Sequence, residues 1–420
     1  MNDKNITHKI LSPLVIVAAL GYFVDIYDLL LFAVEREDSL KDILKLQFGS
    51  LTDDELKNKN AFYGNQLLNW QMGGMLFGGI FWGILGDKKG RLSVLFGSIL
   101  TYSIANILNG MITSVEQYAT LRFVSGFGLA GELGAGITLV SETMSKEKRG
   151  IGTMIVATVG VFGAVVAGFM GDVIQNWRHS FYLGGAMGLA LLVLRIGVSE
   201  SGMFSVLHQK EISKGNFFLL FTSTQRIKKY LSIIFVAVPV WYVMGTLVFF
   251  SPELSVELGL QKGEITPGKA IMFAYTGITI GDLISGFMSQ YLRSRKKTLL
   301  FFLVLTVIGC VLYFLFGGYS KNIFYAIIVF IGFATGYWAV FISTAAELFG
   351  TNIRSTATTT VPNFVRSSTI LISVLLAGIS AITSNKIEAT IITGAIVIGA
   401  GLYALFQLEE TFGKELDYTE

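Results

Sequence analysis

Three arginines, Arg122, Arg195 and Arg366, stand inside otherwise apolar stretches, and the same stretches hold Asp25, Asp28 and Glu132. The other basic residues lie between such stretches or at their ends. A guanidinium in hydrocarbon is costly, so these exceptions point to a hydrated or ion-paired interior rather than a lipid-facing surface. Opposite charges at mid-depth suit the movement of a polar solute driven by protons or other ions.

Asp25 and Asp28 are three residues apart, so on a helix they share a face with Tyr22. About fifteen residues into that helix, they fall near or above the middle of a bilayer. Two carboxylates this close at low dielectric cannot both ionise freely, which suits proton carriage. The plainer alternative is a static ion pair with Arg122. Glu132 follows Arg122 by ten residues, about 15 Å along a helix and about 80° around it. A lone carboxylate there is costly unless protonated or paired, so Glu132 is a further proton-site candidate, its alternative being a bond to a neighbouring helix. His8, His179 and His208 all lie in termini or loops, which leaves proton coupling to carboxylates.

Arg366 sits beside Asn363 and Ser367, twelve residues or about 18 Å into its stretch. Only Asp282 offers an acid at similar depth in the second half. A guanidinium facing a cavity can fork onto a substrate carboxylate, and Arg122 is a second candidate for that contact. Arg195, about a turn from the end of its stretch, is expected to snorkel to the interface. Polar and aromatic residues at similar depth complete the candidate cavity: Tyr22, Asn65, Gln66, Asn69, Trp70, Trp241, Tyr242, Tyr337, Trp338 and Asn363. Pro239 and Gly245 flank Trp241 and Tyr242 and predict a bend there.

Such residues need a scaffold that crosses a bilayer many times. Of the 420 residues, 52% are hydrophobic and 15% charged, and mean hydropathy is +0.62. A soluble chain carries about 25% charged residues. Forty-seven glycines against five prolines suit closely packed transmembrane helices. The net charge of +3 comes from loop residues and marks topology rather than nucleic-acid binding. One cysteine, Cys310, excludes an intrachain disulfide. The first apolar run lacks a small-residue cleavage site and is expected to be a retained helix. There is no phosphate loop, no metal-binding Cys/His spacing and no nucleophile with a nearby base, so neither enzyme chemistry nor a cofactor is expected.

Apolar windows predict twelve spans, near 10–34, 60–85, 92–112, 116–143, 150–173, 179–198, 230–251, 268–291, 298–317, 321–346, 355–382 and 387–408. The fourth and tenth are long enough to tilt or project. The predicted class is all-α membrane protein: six spans in residues 1–198, a cytoplasmic linker at 199–229, and six spans in 230–420. With the N-terminus inside, nineteen basic residues fall on the cytoplasmic side against ten outside, which favours both termini inside. In the outer loop 35–60, SLKDILKLQF predicts an amphipathic surface helix and TDDEL the start of the next helix. The halves are related. Glu142 precedes Arg149 by seven residues and Glu347 precedes Arg354 by seven, an offset of 205. The basic elements GDKKGR at 86–91 and RSRKK at 293–297 occupy matching positions, as in a parallel repeat.

These residues resemble the major facilitator superfamily. Gly83-x-x-Gly86-Asp87-Lys88-Lys89-Gly90-Arg91 is similar to its signature between helices two and three. Arg122-x-x-x-Gly126-x-Gly128 with Glu142 and Arg149-Gly150 is similar to its helix-four signature. Tyr22 to Leu29 and Gly131-Glu132-Leu133-Gly134 resemble segments of its metabolite:proton symporters, which carry α-ketoglutarate, citrate, and proline or betaine. Asp25 stands where that subfamily has Glu and Ile26 where it has Trp, and the second basic element lacks an aspartate. The resemblance implies two six-helix bundles around a central cavity, with rocker-switch alternating access. It implies an inner gate of Asp87, Arg91, Glu142, Arg149, Glu347 and Arg354, with Asp87 at the N-terminus of a helix in the other half. By likeness to sugar porters, Asp28 is the expected partner of Arg122. The expectation is therefore proton-coupled symport of a small polar metabolite, an organic anion before a zwitterion or sugar, by a monomer in a bacterial inner membrane. An uncoupled facilitator or exporter, and a non-transporting sensor on the same frame, are the alternatives.

Overall fold

The computed structural model describes residues 12–145, 148–195, 215–383 and 385–419. The N-terminal decapeptide and most of the expected linker lie outside them. Twelve helical spans occupy the described residues, and ten of the helices are long and apolar enough to cross a membrane. Helix α1 is Pro13–Phe48, α2 is Asp53–Lys89 and α3 is Arg91–Asn109. The fourth span is two helices, α4 (Val115–Leu129) and α5 (Glu132–Thr143). Then come α6 (Arg149–Val173) and α7 (Trp177–Leu194). The second half runs α8 (Thr224–Tyr242), a π-helical turn at Val243–Val248, short outer α9 (Ser251–Glu257), α10 (Pro267–Tyr291) and α11 (Arg295–Phe316). It ends with the divided tenth span, α12 (Lys321–Ala334) and α13 (Trp338–Leu348), then α14 (Arg354–Thr383) and α15 (Lys386–Gln407).

Three departures from the sequence expectation have local causes. SLKDILKLQF is not a separate surface helix. It continues α1, burying Leu40, Ile43 and Leu44, and Thr52 opens α2 with a capping box to Glu55. The seventh span begins at Thr224, six residues before the expected start, capped by Ser223. The fourth and tenth spans break rather than project. At Ala130–Gly131 and at Thr335–Tyr337 the helical ladder is interrupted, and the freed carbonyls find side-chain partners. Trp82 Nε1 donates to Phe127 O at 2.7 Å, Asn363 Nδ2 to Ala130 O at 2.8 Å, and Thr306 Oγ1 to Ala334 O at 3.1 Å.

The internal repeat is visible in packing. Gly74 and Gly78 let α2 lie directly on the α4 backbone at Phe123 and Phe127, where any Cβ would overlap a carbonyl. Gly277 and Gly281, each 203 residues on from Gly74 and Gly78, do the same for α10 on α12 at Val329 and Phe333, each 206 residues on from Phe123 and Phe127. The halves meet along two seams, α2 against α14 and α6 against α10. The bend expected near Trp241 is present. Pro239 withholds an N–H, and the π turn follows, closed by Phe249 N donating to Met244 O at 3.1 Å.

Candidate functional site

Two adjoining cavities lie along the seam. The inner one, ≈ 30 Å³, is bounded by Tyr22 and Ile26 of α1, Val161 of α6, Trp241, Tyr275 and Ile278, Thr335 and Trp338 at the α12–α13 break, and Arg366 of α14. The outer one, ≈ 40 Å³, is apolar and shares Trp241, Met244 and Tyr275 with it.

Arg366 organises the inner cavity. Its side chain is buried, yet no carboxylate lies within 4.0 Å of it among the described residues. Nη2 donates to Tyr22 Oη at 3.3 Å and Nη1 to Asn363 Oδ1 at 3.4 Å, while Nε has no partner. Trp338 Nε1 donates to the same Tyr22 hydroxyl at 3.0 Å, and the guanidinium lies 5.8 Å from the Trp338 ring centre. One hydroxyl from the first half therefore meets a cation and an indole from the second. Tyr22 fits because Gly160 leaves room for its ring.

Arg195, Glu132, Arg122, Asp25 and Asp28, the other buried charges expected at mid-depth, belong to the first half. Arg195 does not snorkel. It is 1% exposed, pairs through both terminal nitrogens with Glu132, and donates to Leu95 O at 3.2 Å. Gly21 makes this possible, since a Cβ there would overlap both partners. Arg122 is enclosed by Phe181, Phe32 and Tyr118, with ring centres at 4.9, 5.8 and 5.8 Å, and donates to Asn106 Oδ1 at 2.9 Å. Asp28 is not its ion-pair partner, for the two are more than 4.0 Å apart and Asn106 neighbours both. Both oxygens of Asp25 and of Asp28 are buried without a hydrogen-bond partner. Asp25 lies one turn along from Gly21, on the face where Glu132 and Arg195 pair, and Asp28 rests against Gly184.

Several residues expected in the cavity stand elsewhere. Arg122 is sealed inside its own bundle. Leu68 and Met72 point α2 at the outer cavity, so Trp70, about 200° around from Leu68, faces outward and rests on Phe123, 51% exposed. Gln66 is exposed, Asn69 is half-buried, and neither lines a cavity. Tyr242 donates to Thr390 O at 2.7 Å inside the second bundle. Asn363 spends its amide on Ala130 O and Thr359 O and borders the site only through Arg366. Tyr22, Trp241, Trp338 and Arg366 do line it. Sequence reasoning missed Tyr275 and Thr335. It also missed the task of Asp282, whose Oδ1 accepts the Ala339 N–H at 3.0 Å and fixes the start of α13 rather than meeting Arg366.

At the ends of the bundles away from α9, the repeated spacing of acids and arginines becomes a cross-linked network. Asp87 accepts the N–H groups of Ser355 and Thr356 at 3.1 and 2.8 Å, at the N-terminus of α14 in the other half. Glu142 binds Arg91 of its own half at 2.8 Å and Arg354 of the other at 3.1 Å. Glu347 binds Arg295 of its own half at 3.0 Å and Arg149 of the other at 3.5 Å. Arg295 was not anticipated. It is the counterpart of Arg91, and its place in RSRKK was the signal. The chain after α15 crosses this network, with Arg149 and Arg354 donating to the Lys414 and Leu416 carbonyls.

The family model for the Major Facilitator Superfamily matches residues 66–373. A cis,cis-muconate transport protein of Acinetobacter baylyi is 28% identical over 377 residues, covering 86% of this chain and 87% of that protein. The benzoate transport protein of the same species is 23% identical over 325 residues, covering 67% and 68%. A solved proton:xylose symporter of the superfamily superposes with a TM-score of 0.76 at 16% identity, covering 96% and 97%.

Proposed function

The chain belongs to the Major Facilitator Superfamily, and from that premise we propose that it is a proton-coupled symporter of a small organic anion. It is an integral multi-pass membrane transporter of small metabolites and not an enzyme. The finer reading rests on one observation: Arg366 is buried at the seam with no carboxylate within ion-pair distance among the described residues, Asp25 being a charged neighbour beyond contact. A buried, unpaired guanidinium is costly, and a substrate carboxylate removes that cost by forking onto it. The proposed proton sites are Asp25 and Asp28, whose oxygens lack partners, ahead of Glu132, which Arg195 already holds. Proton and anion together bring no net charge to the seam, which lowers the barrier to reorientation; either alone leaves charge buried.

The rocking motion proposed is that of two rigid bundles about the seam. In the present state the Asp87, Glu142 and Glu347 network holds the cytoplasmic ends together, so opening inward requires those contacts to part. The proposed setting is a monomer in a bacterial inner membrane with both termini inside. One relative is named for benzoate, a monocarboxylate, and the other for muconate, a dicarboxylate; both are organic anions, which supports the choice of anion over sugar and leaves the number of carboxylates to this chain's own site.

The test is uptake into proteoliposomes under an imposed pH gradient, using benzoate as first probe. Accumulation that requires an acidic exterior, and is lost in Arg366→Gln and in Asp28→Asn, supports the reading. Equal accumulation with and without the gradient would favour an uncoupled facilitator, and binding without flux a sensor.

A further inference from the structure

Resting on the anion reading, we propose that the site selects a monocarboxylate with a flat, apolar body and rejects both dicarboxylates and polyhydroxyl solutes. Among the described residues, Arg366 is the only Lys, Arg or His lining either cavity. Its Nε is free and its two terminal bonds are long, 3.3 and 3.4 Å, so one edge of the fork can be given to a carboxylate. A second carboxylate on the same solute would meet no second cation.

Hydroxyl partners are equally scarce. The Tyr22 hydroxyl already receives Trp338 and Arg366, and the Thr335 hydroxyl is turned back onto Ile331 O and Gly332 O. That leaves the Tyr275 hydroxyl and the Trp241 indole N–H, which make no hydrogen bond with the described residues, and the Tyr22 O–H proton, while the Thr369 hydroxyl is turned back onto Arg366 O. A sugar carries several hydroxyls, and most would be buried here without partners. The likeness in fold to a xylose symporter therefore does not bring sugar chemistry to this site.

The remaining walls suit a ring. Tyr22, Trp241, Tyr275 and Trp338 supply aromatic faces around the guanidinium, and aromatic faces favour offset or edge-on contact with a planar partner. Outward of them, Leu29, Phe32, Leu68, Met72 and Phe249 give an apolar wall, now enclosing only ≈ 40 Å³, against which the body of the solute lies once the bundles part, while its carboxylate stays on Arg366.

The experiment is competition for benzoate counterflow in proteoliposomes of the full chain, with benzamide, phthalate, succinate, acetate and xylose as competitors. We expect benzoate to compete at least about 10-fold better than benzamide, phthalate, succinate or acetate, and xylose not to compete. Trp241→Ala should narrow the preference for benzoate over acetate about 10-fold. Arg366→Lys, which keeps the charge and the fold but loses the planar fork, should retain some benzoate exchange and weaken it about 10-fold. Phthalate, succinate, xylose or benzamide matching benzoate would overturn the selectivity while leaving transport itself standing. If no carboxylate exchanges or competes at all, the anion reading falls and the selectivity with it.

Discussion

Of the buried guanidinium groups in the first half, Arg195 is neutralised within its bundle by Glu132, while Arg122, enclosed by three aromatic rings, makes one bond to Asn106 and keeps Nε and Nη1 unpaired among the described residues. In the second half Arg366 has a tyrosine hydroxyl from across the seam and a long bond to Asn363, and no acid within 4.0 Å among the described residues. The two bundles share one architecture, down to the glycine contacts and the broken fourth and tenth spans, so the contrast does not come from the fold. It lies in where each charge is placed. A cation neutralised inside one bundle holds that bundle together. A cation left at the seam is available to whatever enters between the bundles.

The largest effect that tests this contrast compares Arg366→Gln with Arg195→Gln. Arg366→Gln should cut uptake at least about 100-fold and leave thermal stability in detergent nearly unchanged. Arg195→Gln strands Glu132 in the bundle and should cost about 3–5 kcal/mol of stability, as loss of one partner of a buried pair does. The double variant Glu132→Gln with Arg195→Met should recover much of that stability. If Arg366→Gln melts as early as Arg195→Gln, the two cations play the same structural part and the contrast fails.

Much of this was legible in the sequence and some of it could not be. The Glu142–Arg149 and Glu347–Arg354 spacings carried the repeat, because both ends of each element lie near one helix junction. Tyr22, Asp25 and Asp28 share a helix, so their common surface followed from spacing alone. Which acid meets which base did not follow. Arg195 reaches Glu132 from a different span, and Gly21 on a third makes room, a three-body fact that no local pattern encodes. The break at Ala130–Gly131 contains no proline; its stability comes from Trp82 and Asn363, both distant in sequence. Trp70 was misplaced for a simpler reason: Leu68 and Met72 face the outer cavity, and a residue two positions from each lies on the opposite side of α2, where the Trp70 ring rests on Phe123.

A second way to sharpen the contrast concerns the unpaired acids. Asp28→Asn should abolish the dependence of uptake on an external acid pulse while leaving benzoate counterflow within about threefold of wild type, since exchange needs no net proton movement. The same change at Asp282 should affect stability rather than coupling, because Asp282 Oδ1 holds the Ala339 N–H. Flux and pH recorded together in one vesicle preparation separate the two. Loss of coupling in Asp282→Asn, with Asp28→Asn still coupled, would move the proton site into the second half.

The smallest effects concern the cytoplasmic network, where the halves differ by one carboxylate. Asp87 covers the first N–H groups of α14, whereas α6, which stands in the equivalent place, starts at Lys148 with no side-chain cap. Counting from Arg295 as the counterpart of Arg91, the residue that matches Asp87 is Tyr291, 88% exposed, next to Gln290, which lies against Gly150 at the start of α6. A carboxylate at a helix N-terminus contributes about 0.3–1 kcal/mol, up to about 2 when partly buried. Asp87→Asn should therefore shift the balance toward the inward-open state by a few-fold, read as faster labelling of a cysteine placed at Ser343, deep on the seam, in a Cys310→Ser background. Tyr291→Asp should shift it the other way by a smaller factor, because that carboxylate begins exposed. Both changes leave the seam cavity and its charges untouched, so substrate selectivity should stay fixed while the rate of access changes. Should Asp87→Asn slow the labelling, the contact would be holding the bundles in a different state from the one described here, and the asymmetry between the halves at their inner ends would carry no gating role.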